Sequence, residues 1–167
     1  MMTQFKHVAI PTLYRGVQFR SRLEARWAAW MDLVGLDWEY EPMDASGYIP
    51  DFLIRTDKDT ELIAEVKPIS FIEPGDMGDW QEAFEKIRGS GITGPALVLG
   101  SRPHRYEDVF DPSIWGFLTP EEGQYSAVIG LTQESPGHLF TGFTWPSYQR
   151  SKSLWNAAGN AVQWRAQ

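Results

Sequence analysis

Three carboxylates and one amine carry the chemistry this sequence offers: Glu24, Asp51, Glu65 and Lys67. Residues 48–55 and 61–67 read as strands, joined by the polar stretch Thr56-Asp57-Lys58-Asp59-Thr60, a natural hairpin loop. A hairpin symmetric about Lys58 sets Arg55 against Glu61, Leu53 against Ile63 and Asp51 against Glu65. Side chains alternate along a strand, so Asp51, Glu65 and Lys67 then emerge on one face. Directly opposed residues have Cβ atoms roughly 4.5–5.5 Å apart, and two carboxylates that close repel unless positive charge lies between them. Leu53 and Ile63 share that face, which puts the pair at the edge of buried surface, where water screens poorly. A divalent cation relieves the repulsion. Lys67, on the order of 7 Å further along the strand, is placed to stabilise a nucleophilic water or the charge that develops on a phosphate.

Composition decides which cation. The chain has no cysteine, which excludes disulfides, zinc ribbons and thiol catalysis. Its three histidines, His7, His104 and His138, are widely separated and give no convergent signal. The remaining ligands are oxygens, which favour Mg²⁺, Mn²⁺ or Ca²⁺ over Zn²⁺. The net charge of −7 argues against strong non-specific binding to nucleic acid. That charge is uneven, however: residues 56–146 hold 15 acidic against 6 basic groups, whereas residues 147–167 hold Arg150, Lys152 and Arg165 and no acid. A basic face can coexist with an acidic back.

The elements that must position these groups follow from periodicity. A helix is expected over residues 21–36, with Ser21 as N-cap, Glu24 three residues on in a capping-box pattern, and Gly35 at the end. Leu23, Trp27, Trp30, Met31 and Val34 recur at helical spacing as one apolar face. Glu24 falls within about 20° of Met31 on the helical wheel, inside the apolar arc, where a carboxylate is expensive unless paired or metal-bound. Further strands are expected over 37–41, 96–99 and 127–131, with a weaker one over 114–118. A second helix is expected over 80–88, bounded by glycines, and a last one from 146 or 147 to 165, weakened by Gly159. Helix, strands, helix, strands, helix implies an α/β fold: one mixed sheet flanked by helices, in a single domain spanning 1–167 with its core over about 14–131. Eight Trp, nine Phe and six Tyr supply large buried rings for that core. The N-terminal stretch does not read as a signal peptide and no apolar run is long enough to span a bilayer, so a cytoplasmic protein without membrane partners is expected.

Three segments together resemble the PD-(D/E)XK nuclease superfamily, whose core is restriction-endonuclease-like. They are Phe19-Arg20-Ser21-Arg22-Leu23-Glu24-Ala25-Arg26, then Ile49-Pro50-Asp51-Phe52, then Ala64-Glu65-Val66-Lys67-Pro68. Pro50-Asp51 is similar to the superfamily's "PD" and Glu65-Val66-Lys67 to its "ExK". Within the superfamily the chain resembles phage-type junction resolvases and transposon endonuclease subunits, which also carry an upstream helical glutamate. The resemblance covers residues 14–90. It implies an endonuclease that hydrolyses DNA phosphodiesters with Mg²⁺ or Mn²⁺. Asp51, Glu65, the Val66 carbonyl and Glu24 would ligate metal, Glu24 completing the site from its helix, and Lys67 would assist the water. Symmetric double-strand cutting would call for a homodimer, because one active site cuts one strand.

Each residue also has a blander reading. Glu65 and Lys67 suit a solvated strand face, Asp51 a turn after Pro50, and Glu24 a capping box alone. Arg20, Arg22 and Arg26 are candidate phosphate contacts or simply helix charges paired with acids. Gln81 stands where some relatives hold substrate or water, but Glu85 replaces the tyrosine expected four residues later. Trp155 and Trp164 suit base stacking less well than the buried stripe of a terminal helix. The whole pattern also allows an inactive nuclease fold that binds nucleic acid, or an assembly protein of a phage or mobile element.

Overall fold

The computed structural model describes residues 9–55, 61–69, 77–92, 96–103 and 147–163. The chain opens with a hairpin that periodicity does not reveal, because its strands are three residues long: β1 (Thr12–Tyr14) and β2 (Val17–Phe19). The two-residue turn between them needs positive φ at both positions, and Arg15 and Gly16 adopt 48° and 79°. Helix α1 (Arg22–Val34) follows as expected. Ser21, with extended backbone, accepts the Glu24 N–H on its Oγ at 3.1 Å, and Gly35 closes the helix at φ 88°, its N–H donating to the Asp32 and Met31 carbonyls.

The next strands are β3 (Asp37–Tyr40), β4 (Phe52–Arg55) and β5 (Glu61–Val66), then helix α2 (Met77–Gly89), strand β6 (Ala96–Leu99) and helix α3 (Tyr148–Ala161). One four-stranded sheet runs β3-β4-β5-β6. The first three are antiparallel neighbours, and β5 pairs parallel with β6 across the α2 connection, so the sheet is mixed. The β4–β5 register sets Arg55 against Glu61 and Leu53 against Ile63, the pairing expected of a hairpin symmetric about Lys58. The expected strands at 114–118 and 127–131, the three histidines, Trp164 and Arg165 lie outside the described residues, as does the side chain of Gln81 on α2.

Both faces of β5 and β6 are buried. Phe52, Ile54, Leu62, Ala64, Val66, Leu97 and Leu99 join one core with α1 and with Trp155, Ala158 and Val162 of the α3 region. Leu53, Ile63, Ala96 and Val98, of opposite parity, are buried outside that core, on the side where α2 meets β6 and buries Ala83 and Ile87. Helices therefore flank the sheet. No helix among the described residues is long and apolar enough to cross a membrane.

Two tryptophans of α1 lock the helical layer. Trp27 meets Trp155 of α3 at 4.6 Å between ring centroids and donates its indole N–H to the Gly100 carbonyl at 2.8 Å. Trp30 donates to the Ser151 carbonyl at 3.3 Å. Arg26 stacks its guanidinium 4.2 Å over the Trp155 ring and donates twice to the Trp155 carbonyl, at 3.0 and 2.8 Å. Trp155 is thus buried stripe, and Arg26 is committed to α3. Truncating Trp27→Ala should remove ring contacts on two helices and orphan the Gly100 carbonyl. The expected loss is about 3–5 kcal/mol of unfolding free energy, read by urea denaturation; a loss below 1 kcal/mol would mean α3 does not dock on α1 in solution.

Candidate active site

The site forms where the β4–β5 ladder runs out. Extending the observed register by two residues sets Asp51 against Glu65 and Pro50 against Val66. Backbone groups alternate in direction along a strand. Lys67 donates its N–H to Leu99 on the β6 side at 2.9 Å, so Val66 directs its N–H and its carbonyl toward β4. There it meets Pro50, which has no N–H to offer. The Val66 N–H donates to Asp51 Oδ2 at 2.7 Å. The Val66 carbonyl, directed to the same edge, receives no ladder bond from position 50. Asp51 is itself tied to β3, its carbonyl accepting the Glu41 N–H at 3.0 Å.

Glu65 lies alongside, and its two oxygens have different partners. Oε2 accepts the Tyr48 hydroxyl at 2.9 Å, and Oε1 pairs with Lys67 Nζ at 3.1 Å. Tyr48 is held by a tight turn: Ala45 and Tyr48 exchange backbone bonds at 2.8 and 3.1 Å, and the Gly47 N–H donates to Asp44 Oδ1 at 2.7 Å. Ser46 and Gly47 take the positive φ this turn requires, 57° and 86°.

Glu24, buried as its place on the helical wheel implies, enters a modified capping box. Its Oε1 accepts the Ser21 hydroxyl at 2.8 Å, while Oε2 accepts the Tyr40 hydroxyl and the Arg20 N–H, the latter at 3.2 Å. The usual box would use the N–H of the cap residue itself; here the carboxylate reaches one residue further and pins the backbone of Arg20. From that anchor the Arg20 guanidinium donates from Nη2 to Asp51 Oδ1 and from Nε to the Tyr40 hydroxyl at 3.3 Å, and Nε forms an ion pair with Glu41 at 3.0 Å. Arg22 is simply exposed on the first turn of α1.

Burial and like charge dominate the electrostatics. Desolvation, then the negative charge of Glu65, push the Asp51 carboxyl from 3.8 up to about 7; the Val66 N–H pulls it back, Glu24 adds to the rise and Arg20 opposes it. The Tyr40 hydroxyl is raised to about 12 by burial and by its bond to Glu24. Burial, followed by the charge of Glu65, likewise raises Tyr48. Both phenols therefore remain protonated donors to carboxylates. Burial alone would lower the Arg20 guanidinium, but Tyr40, Asp51 and Glu41 hold it above its usual value.

Asp51, Glu65 and Lys67 thus come together, and Glu24 is linked to them through Arg20 and Tyr40. Among the described residues no three histidine or acidic side chains gather as a metal-binding group. What remains for a cation is Asp51 Oδ1, the Glu65 carboxylate and the Val66 carbonyl. That set fits Mg²⁺ or Mn²⁺, since Mg²⁺ usually takes one or two carboxylates and keeps several waters. Sequence reasoning missed Tyr40, Tyr48 and Glu41 as partners of the site. Only the alternation of Trp38 and Tyr40 along an expected strand could have aimed Tyr40 at the same layer as Phe52.

The Asp51 shift has a thermodynamic consequence. Between about pH 4 and pH 7 the folded chain holds a proton on Asp51 that the unfolded chain releases, so stability from this group is full at low pH and is lost as pH rises to about 7. Relative to Asp51→Asn, the wild type should lose roughly 1–4 kcal/mol across that window in metal-free buffer. Urea midpoints measured at intervals of half a pH unit test it, and parallel pH profiles for the two proteins would show that Asp51 ionises normally.

Comparison with protein-family models, with curated proteins and with solved structures finds no match for this chain.

Proposed function

We propose that this chain is a metal-dependent DNA endonuclease with a restriction-endonuclease-like core of the PD-(D/E)XK type. The observation that carries the reading is the end of the β4–β5 ladder. Pro50 leaves the Val66 carbonyl without a ladder donor, Asp51 takes the Val66 N–H, and Glu65 stands next in register with Lys67 at 3.1 Å. Proline, two acids and a lysine acquire a joint physical role there, which a chance run of these residues would not have.

In this reading Asp51 Oδ1, Glu65 and the Val66 carbonyl hold Mg²⁺ or Mn²⁺. Such an ion supplies charge neutralisation at the phosphate and a more acidic water. Lys67, 24% exposed at its side chain, keeps its ammonium at the rim and there stabilises the attacking water or the developing charge on the phosphate. Tyr48 fixes one oxygen of Glu65 and so orients the carboxylate. Glu24 fixes the backbone of Arg20 and acts as a positioning residue. The bond broken is a DNA phosphodiester, by water, with no covalent enzyme intermediate. The acidic balance of the whole chain directs DNA to a restricted face, for which exposed Arg150 and Lys152 on α3 are candidates.

One observation favours a second reading, a nuclease fold that binds nucleic acid without cutting it. Arg20 and Lys67 already pair with Asp51 and Glu65, so two carboxylates have counter-charges without any added ion.

The two readings separate on labelled linear, nicked and four-way DNA with Mg²⁺, with Mn²⁺ and with chelator. Cleavage should require the metal and fall at least about 100-fold in Asp51→Ala, Glu65→Ala and Lys67→Ala. Cleavage untouched by all three changes would overturn the site, and metal-independent binding with no turnover would establish the second reading.

A further inference from the structure

Of the two Asp51 oxygens, Oδ2 is used by the backbone: it accepts the Val66 N–H at 2.7 Å. A cation on Oδ2 would have to share that oxygen with a buried N–H whose positive end it repels. Oδ1 is the oxygen left, and Arg20 Nη2 already occupies it. Two positive groups on one oxygen repel each other, so an ion and the Arg20 guanidinium compete for it.

Arg20 is built to yield. Its backbone is fixed, with the N–H shared between Glu24 Oε2 at 3.2 Å and the Tyr40 hydroxyl at 3.1 Å, yet its side chain is 59% exposed. Its Nε stays engaged by Glu41, a half-exposed carboxylate at 3.0 Å, when Nη2 lets go. A planar fork of N–H donors released beside the site matches the oxygens of a phosphodiester.

We propose that Arg20 is an exchangeable counter-charge: it holds Asp51 Oδ1 in the metal-free protein and transfers its Nη2 to a DNA phosphate when a divalent cation takes that oxygen. The inference rests on the nuclease reading above and adds a role that the reading does not need. It makes the metal site and the phosphate contact mutually dependent, since each ligand removes the obstacle to the other. In the absence of metal, Arg20 keeps the Asp51 carboxylate compensated and the site closed to premature phosphate binding.

The competition has a sign that a merely structural residue would not produce. Arg20→Gln removes the competitor and leaves its backbone N–H in place for Glu24 and Tyr40. Mn²⁺ titrated calorimetrically into DNA-free protein should bind about 3- to 30-fold more tightly to the variant than to wild type. Binding of a short duplex in Ca²⁺, as a non-cleaving ion, should weaken, and its log–log salt slope should shrink by about 0.9, one phosphate contact. If Gln costs the fold, Arg20→Lys carries the same test, with a smaller tightening because the charge remains and the fork is lost. Equal or weaker Mn²⁺ binding in the variant, or an unchanged salt slope, overturns the exchange while leaving the nuclease reading intact. Absence of Mn²⁺ binding in wild type and variant alike overturns both.

Discussion

A carboxylate buried at the end of a β-ladder is the constraint around which this molecule is arranged. Asp51 is only 4% exposed, and an unpaired ion there would be expensive. It is tolerated because a backbone donor is free at that point. The Val66 N–H donates to the carboxylate, and Pro50, having no N–H, leaves the Val66 carbonyl without a ladder donor. The proline thus accounts for the unfilled ladder position at the Val66 carbonyl, and the Val66 N–H for the hold on the acid.

The groups that close on Asp51 are placed by aromatic packing. Phe19, Trp38, Tyr40 and Phe52 form one cluster, with Phe19 at 4.5 Å from Tyr40 and 6.1 Å from Phe52 and with Tyr40 at 5.5 Å from Phe52, between centroids. Arg20, Glu41 and Asp51 are the immediate chain neighbours of Phe19, Tyr40 and Phe52. Burying the rings fixes the ends of β2, β3 and β4, and the polar residues next to them are delivered to one place. Tyr40 serves both layers, its ring in the cluster and its hydroxyl on Glu24. Strands and a capped helix thus hold these groups in place.

The charges at the site are nearly balanced by the chain itself. Glu24, Asp51 and Glu65 face Arg20 and Lys67 together with the Tyr40 and Tyr48 hydroxyls and the Val66 N–H. That balance lets three acids approach one another in a folded, metal-free protein. It also sets what any added cation must contend with. The elevated Asp51 carboxyl records the residual conflict, because its largest sources are lost hydration and the charge of Glu65.

The helix 22–34, its Ser21 and Gly35 caps, the three strands around the hairpin and the β4–β5 register were legible in the sequence, because caps, alternation and loop symmetry are local properties. So were Asp51, Glu65, Lys67 and the core-side Glu24. The hairpin 12–19 was not legible: two three-residue strands carry too little periodicity. Nor was the use of Glu24, which periodicity located but whose partners Tyr40 and Arg20 come from other elements. Among the arginines, Arg20 and Arg26 read alike as charges flanking one helix, yet one lies on Asp51 and the other on Trp155. That division depends on which buried neighbour each guanidinium can reach once α3 and the β-sheet have packed against α1. Local sequence thus determined which groups exist and which face they take, and tertiary packing alone decided their partners, because a hydrogen bond between distant segments requires both ends to be fixed first.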